Sequence, residues 1–154
     1  MQKLRTATQD DIGRLVDMYI EDVEDNRARA MEFARDLVKR FHTIICLDGE
    51  KLCGSISWET RGGLDDGVAE IVGLGVRPAY RRKGIGTKLL RETIKQLRGF
   101  FGNARSRLRV LYLFMEKSNE GAREFYQRSG FVEVAAIPGM YPEDDASILV
   151  LKLE

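Results

Sequence analysis

Apolar residues recur along this chain with two periods, and the switches between them mark its elements. "LRTAT" reads as a short first strand. Ile12, Leu15, Val16, Tyr19, Ile20 and Val23 then return at helical spacing, with Thr8 or Asp10 as the cap. A second, mostly exposed helix is expected over about 27–41, with Met31, Ala34, Val38 and Phe41 in register. At His42 the texture becomes β-rich. "HTIICLD", "KLCGSISWET" and "VAEIVGLGV" predict three antiparallel strands joined by "GE" and "RGGLDDG" turns. From Gly84 to about Gly99 the helical period returns through Leu89, Leu90, Thr93, Ile94 and Leu97, and "FFGNARSR" reads as a loop. "LRVLYLFM" is apolar throughout, as a strand buried on both faces would be. Residues 119–129 predict a short helix with Ala122, Phe125 and Tyr126 inward, stopped by Gly130. "FVEVAAI" and "ASILVLKLE" close the chain as two more strands.

The order is β-α-α-β-β-β-α-β-α-β-β, a mixed α/β fold. A strand-helix-strand unit at 71–113 implies that part of the sheet is parallel. No linker or repeat interrupts it, so 154 residues are expected to form one domain, 1–154. No apolar run approaches the ~20 residues of a membrane span, and the N-terminus lacks a signal-peptide core. A cytoplasmic location and no membrane partner are the expectations. The two cysteines flank "LDGEKL", where a four-residue turn Asp48–Lys51 would set Cys46 opposite Cys53. In a cytoplasmic chain two reduced thiols are expected over a cross-strand disulfide. No Cys/His spacing suggests a metal.

Charge sharpens the picture. The chain carries 25 Lys+Arg and 24 Asp+Glu, a net charge of +1. Six basic residues and no acid lie between Ile71 and Arg91, so the remainder of the chain nets −5. Such a balance argues against nucleic acid and for a small anion bound locally. The local sequence is "RRKGIGTK". It places unpaired backbone N–H groups, the positive end of a helix dipole, two glycines and flanking cations together. That combination suits a di- or polyphosphate. It also reads, more plainly, as a turn glycine among solvated cations. A Walker A loop is absent. Position 89 is leucine, so a dinucleotide fingerprint lacks its third glycine.

What remains is Arg81-x-x-Gly84-x-Gly86 after Leu74-x-Val76-x-Pro78-x-Tyr80, and downstream Asn119-x-x-Ala122-x-x-Phe125-Tyr126-x-x-x-Gly130-Phe131. The first resembles the coenzyme A signature of the GCN5-related N-acetyltransferase superfamily, and the second its later helix motif. The two are strongest over 68–131 and weakest over 1–60. The resemblance implies a central mixed, mostly antiparallel sheet of about seven strands with helices on both faces. It implies that Arg81, Arg82, Lys83, Gly84, Ile85, Gly86 and Thr87 hold the pyrophosphate of acetyl-coenzyme A. It implies that Leu74, Gly75 and Val76 bond the pantetheine arm, that Asn119 contacts that arm, and that Tyr126 faces its sulfur. Arg77, Lys83 or Lys88 would reach the other phosphate.

Transfer of an acetyl group from a thioester to an amine needs a base, a donor to the developing oxyanion, a donor to the leaving thiolate and alignment. Tyr126 suits the thiolate, and a backbone N–H of Leu74–Val76, freed by a bulge near Gly73 or Gly75, suits the oxyanion. Glu70, eleven residues before Arg81, resembles the base of the histone-type members. A surface ion pair is its plainer reading, as a cap is for Asn119 and a core position for Tyr126. The position five before Asn119, glutamate in other members, is Phe114, and Glu116 is not assigned. "MYPEDDA" is similar to a segment of protein N-terminal acetyltransferases in which tyrosine grips the acceptor, here Tyr141. A solvated acidic loop tip is the plainer reading. Glu143, Asp144, Asp65 and Asp66 would favour a cationic amine. The expected activity is acetyl transfer from acetyl-coenzyme A to a primary amine: a small amine, a lysine or a protein N-terminus. A non-catalytic coenzyme A-binding or regulatory domain is the alternative, and a homodimer is an assembly to expect.

Overall fold

Seven strands form one mixed sheet in the order β1-β2-β3-β4-β5-β7-β6, in a computed structural model that describes residues 1–153. The strands are β1 (Gln2–Thr6), β2 (His42–Asp48), β3 (Lys51–Arg61), β4 (Val68–Val76), β5 (Val110–Glu116), β6 (Val132–Tyr141) and β7 (Asp144–Lys152). The helices are α1 (Ile12–Asp22), α2 (Arg27–Arg35), α3 (Ile85–Asn103) and α4 (Glu120–Arg128). The β4–β5 pair is parallel, because α3 carries the chain across between them. The ladders β1–β2, β2–β3, β5–β7 and β6–β7 are antiparallel. The chain divides into two compact units, Met1–Glu59 with Gly73–Gln96 and Thr60–Val72 with Leu97–Glu154.

In the first unit, Leu15 and Val16 of α1 share a buried cluster with Ala30, Ala34, Leu37 and Ile45. Helix α2 runs on into a π-helical turn, Asp36–Arg40, so the stretch expected over 27–41 is one helical path with its last turn widened. Asn26 caps it by accepting the Arg29 N–H at 3.1 Å. The entry to α1 is set by Asp11. Its fully buried carboxylate accepts the Thr8 N–H at 2.7 Å and two bonds from Arg5 at 2.8 Å each. Asp11, one position past the expected Asp10, therefore organises this turn.

The β2–β3 hairpin closes in two residues, Gly49 at φ +62 and Glu50. A bulge then shifts the register, so Cys46 lies opposite Gly54 and not opposite Cys53. Both thiols are free and buried, and burial pushes Cys46 up to about 11. Such thiols are unreactive at neutral pH.

In the second unit, β5 departs from the expected double burial. Leu111, Leu113 and Met115 are buried, whereas Val110, Tyr112 and Phe114 are half-buried on the opposite face. Helix α3 is also longer than expected. Phe100 and Phe101 belong to it, and Phe101 is fully buried. Leu89, Thr93, Leu97 and Phe101 fall on one stripe, every fourth residue, and all four are fully buried. Gly99 and Gly102 suggest a loop in the sequence, but burial of this stripe outweighs their poor helix propensity of ~1 kcal/mol each. The helix ends at Asn103 and is followed by a turn, Ala104–Arg105. Ser106 N–H bonds Phe101 C=O at 2.8 Å and Arg105 N–H bonds Gly102 C=O at 3.0 Å, with Arg105 left-handed at φ 59. Among the described residues no helix is long and apolar enough to cross a membrane.

Arg5 holds the Asp11 carboxyl below its usual range, against the opposing effect of burial. A depressed carboxylate adds stability that is full above its unfolded value of ~3.9 and is lost as pH falls through the lower folded value. Asp11→Asn should cost about 2 kcal/mol at pH 7, seen as a Tm several degrees lower. That gap should shrink below pH ~3.9, where wild type gives up the same contribution.

Candidate functional site

The entrance to α3 is built from backbone. After β4 the chain turns through a short 3-10 segment, Pro78–Tyr80, and then through Arg82 at φ 62 and Gly84 at φ +78. Two left-handed residues in three positions curl the chain so that its N–H groups face outward. The first helical bond of α3 is Lys88 N–H to Gly84 C=O at 3.1 Å. The amides of Arg82, Lys83, Gly84, Ile85, Gly86 and Thr87 donate to no acceptor among the described residues. A Cβ on Gly84 would meet nothing within 4 Å, so the space before these amides is open. Donors without acceptors at the positive end of a 19-residue helix are a favourable setting for an anion.

The side chains around this loop mostly serve other ends. Arg81 folds back, its Nε donating to Val76 C=O at 3.0 Å. Arg77 is bound to Asp22 at 2.9 Å and to Glu21, which neutralises two acids at the C-terminal end of α1. Lys88 donates to Gln2 at 3.1 Å. Of the three cations expected near a second phosphate, Arg77 and Lys88 thus have partners within the first unit. Lys83 lies 5.5 Å over the Tyr80 ring, and Arg82 is exposed.

β4 just before the loop also departs from expectation. Gly54 sits so close that a Cβ would lie 2.7 Å from the Gly75 carbonyl, so only glycine fits there. The expected bulge near Gly73 or Gly75 takes another form. The parallel ladder runs through Val68, Ala69 and Glu70 and ends at Glu70 opposite Tyr112. Ile71 to Val76, with Leu74, Gly75 and Val76 among them, extend past its end.

The second unit holds Tyr126, Asn119, Glu70 and Tyr141. Tyr126 is 7% exposed, and its ring packs edge-on to Phe131 at 5.3 Å. Its hydroxyl has no partner among the described residues, and burial alone pushes its pKa far up. Asn119 does cap α4, its Oδ1 accepting the Ala122 N–H at 3.1 Å, which leaves the carboxamide NH2 free to donate. Glu70 accepts from Arg61 Nε at 3.0 Å and from the Tyr112 hydroxyl at 3.2 Å, and Arg61 Nη2 makes an ion-pair contact at 2.7 Å. Sequence reasoning missed Arg61 and Tyr112. Only the β4–β5 register could have shown that Tyr112 lies opposite Glu70.

The acidic segment is a hairpin tip in which Glu143 is exposed while Asp144 and Asp145 are bound. Tyr141 pairs with Asp144 across a two-residue turn, Pro142–Glu143. Asp144 accepts the Ser118 amide at 2.9 Å and its hydroxyl at 2.7 Å, and Asp145 accepts the Gly139 amide at 2.8 Å. Asp66 likewise accepts the Gly63 amide at 2.7 Å. Burial, then Glu116, Asp144 and Glu70 raise the Tyr141 phenol above its ordinary value. Glu116, unassigned from sequence, thus belongs to the surroundings of Tyr141.

The profile of the acetyltransferase (GNAT) family matches residues 12–131. The chain belongs to that family. An uncharacterised N-acetyltransferase of Methanocaldococcus jannaschii is 30% identical over 107 residues, 70% of this chain and 65% of that protein. The N-alpha-acetyltransferase 50 of Danio rerio is 41% identical over 63 residues, 40% of this chain and 33% of that protein. The chain thus spans less than two thirds of either relative. Among solved structures, Arabidopsis thaliana NAA60 bound to a bisubstrate analogue superimposes with a TM-score of 0.79 at 22% identity, covering 99% of this chain and 98% of that one. The same plant protein has also been solved with acetyl-coenzyme A. At that identity the likeness is one of fold.

If the amides at 82–87 form an anion site, inorganic pyrophosphate should shift their NMR signals selectively. Signals of β1 and α2 should stay in place in the same titration.

Proposed function

We propose that this GNAT-family chain transfers the acetyl group of acetyl-coenzyme A to a primary amine through a ternary complex. The six acceptor-less amides of Arg82–Thr87 are the observation that carries this reading. They fit a pyrophosphate better than a metal, which would need acceptors, and better than a base, which would need a plane. Arg81, Arg82 and Lys83 add positive charge at the same place. The backbone of Leu74, Gly75 and Val76 would bond the pantetheine arm, and one of its N–H groups would donate to the acetyl carbonyl oxygen. The free NH2 of Asn119 would donate to the arm as well.

Bound acetyl-coenzyme A supplies an activated acetyl thioester and a thiol able to leave. Tyr126 would donate to that sulfur. A phenol raised above ~10 lies well above a thiol at ~8.5, so Tyr126 acts by hydrogen bonding more than by surrendering its proton. Desolvation strengthens such a bond. Glu70 would accept the proton that the acceptor ammonium must lose, directly or through a water. Tyr141, among Glu116, Asp144 and Glu70, would grip a cationic acceptor. The likeness to N-alpha-acetyltransferase 50 favours a protein N-terminus over a small amine.

Thiol release measured with small amines, lysine peptides and free N-terminal peptides tests the reading. Tight acetyl-coenzyme A binding without turnover on any of them would overturn it in favour of a non-catalytic binding domain. Gly84→Asp should weaken coenzyme binding by calorimetry about 100-fold, or about 2.8 kcal/mol, since it puts strain, bulk and a like charge at the anion site. Tyr126→Phe should lower kcat about 100-fold with coenzyme affinity little changed.

A further inference from the structure

The carboxylate of Glu70 is bonded asymmetrically. Three donor groups lie against Oε1: Arg61 Nε and the Tyr112 hydroxyl through hydrogen bonds, and Arg61 Nη2 through an ion-pair contact at 2.7 Å. Oε2 receives none among the described residues. The Glu70 side chain is only 12% exposed, so this asymmetry is held and not averaged by solvent. A surface ion pair has no such preference: an arginine fork facing a free carboxylate normally shares its two donors between two oxygens.

Three donors on one oxygen also fix the carboxyl plane, and hence the direction of the other oxygen. The register supplies the geometry. Glu70 and Tyr112 are the last pair of the parallel β4–β5 ladder, so their side chains leave the same face side by side. Towards the Glu70 carboxylate Tyr112 serves as donor. Burial foremost, then the Glu70 charge, push its phenol above the ordinary value, so it remains protonated at neutral pH. The Arg61 side chain is 38% exposed, so it can contribute charge without being sealed in the core.

We propose that Arg61 and Tyr112 are positioning residues that saturate Oε1 of Glu70 and leave Oε2 as the atom that takes the acceptor's proton. The inference rests on the reading of Glu70 as base. In the step, the acceptor N–H bond breaks, its proton goes to Oε2, and the electron pair stays on nitrogen for the new N–C bond. The C–S bond to the coenzyme breaks in turn, and its electron pair leaves on sulfur. Oε1 keeps its three donors throughout, so nothing around it need rearrange as Oε2 is protonated.

The test is a double-mutant cycle on the full chain, with kcat and KM measured separately for an active amine substrate. Arg61→Met is expected to lower kcat about tenfold with KM changed less than about twofold. Arg61→Lys should restore kcat to within about threefold of wild type, since an ammonium still reaches Oε1. Tyr112→Phe, which keeps the ring, should lower kcat about threefold and serves if Arg61→Met folds poorly. In a Glu70→Gln background Arg61→Met should change kcat less than about twofold further, because its effect runs through Glu70. An Arg61→Met loss undiminished in that background, or confined to KM, overturns the positioning role alone. A Glu70→Gln variant with wild-type kcat overturns the base assignment and this inference with it.

Discussion

Unpaired amides at the start of α3 set the terms for the rest of this chain. A buried backbone N–H without an acceptor is costly, and six in succession could not persist in an interior. They persist here because Arg82, Lys83 and Gly84 are exposed, with Arg82 and Gly84 left-handed, and because Ile85, Gly86 and Thr87 form the first turn of a helix, whose N–H groups have no intrahelical acceptor. The supporting side chains are spent on holding that shape. Arg81 closes onto Val76 C=O, Arg77 N–H onto Cys53 C=O at 2.8 Å, and the Arg77 side chain onto the end of α1. The positive charge concentrated between Ile71 and Arg91 is therefore partly architectural. The donors left without acceptors in this loop are backbone amides, with Arg82 and Lys83 as its exposed cations.

The second unit treats its acids in the same way. A run of Glu143, Asp144 and Asp145 reads as solvated charge, yet two of the three bind backbone amides. Asp144 secures Ser118, Asn119 caps the next turn, and Arg123 reaches Glu133, Glu120 and the Lys117 carbonyl. At the other end, Gly130 at φ +100 lets Phe131 N–H bond Tyr126 C=O at 3.0 Å. Both ends of α4 are pinned, and the residue held between them is Tyr126, a buried phenol with no protein partner.

Element identities were legible because they depend on local periodicity. β2 coincides with the β-rich run His42–Asp48, buried at five consecutive positions, and β4 with the run Val68–Val76. The misreadings share a cause. Gly99 and Gly102 carry a local signal for a loop, but the buried stripe ending at Phe101 overrides it. The uniform apolarity of β5 says nothing of which face is covered, and only every second residue is buried. Cys46 and Cys53 miss one another by a one-residue bulge that no turn rule predicts.

By itself the sequence determined the family and the exposed, glycine-bearing loop that opens α3. Both are carried by residues close in the chain, where spacing alone decides which N–H groups face out and which glycines permit it. Tertiary structure decided which charges are available. Arg77, Lys88, Asp144 and Glu70 look alike as free ions in a string of letters, yet each has partners elsewhere in the chain. The Glu70 network shows the reason most plainly. Its donors stand 9 and 42 positions away, and only strand pairing brings them to one oxygen.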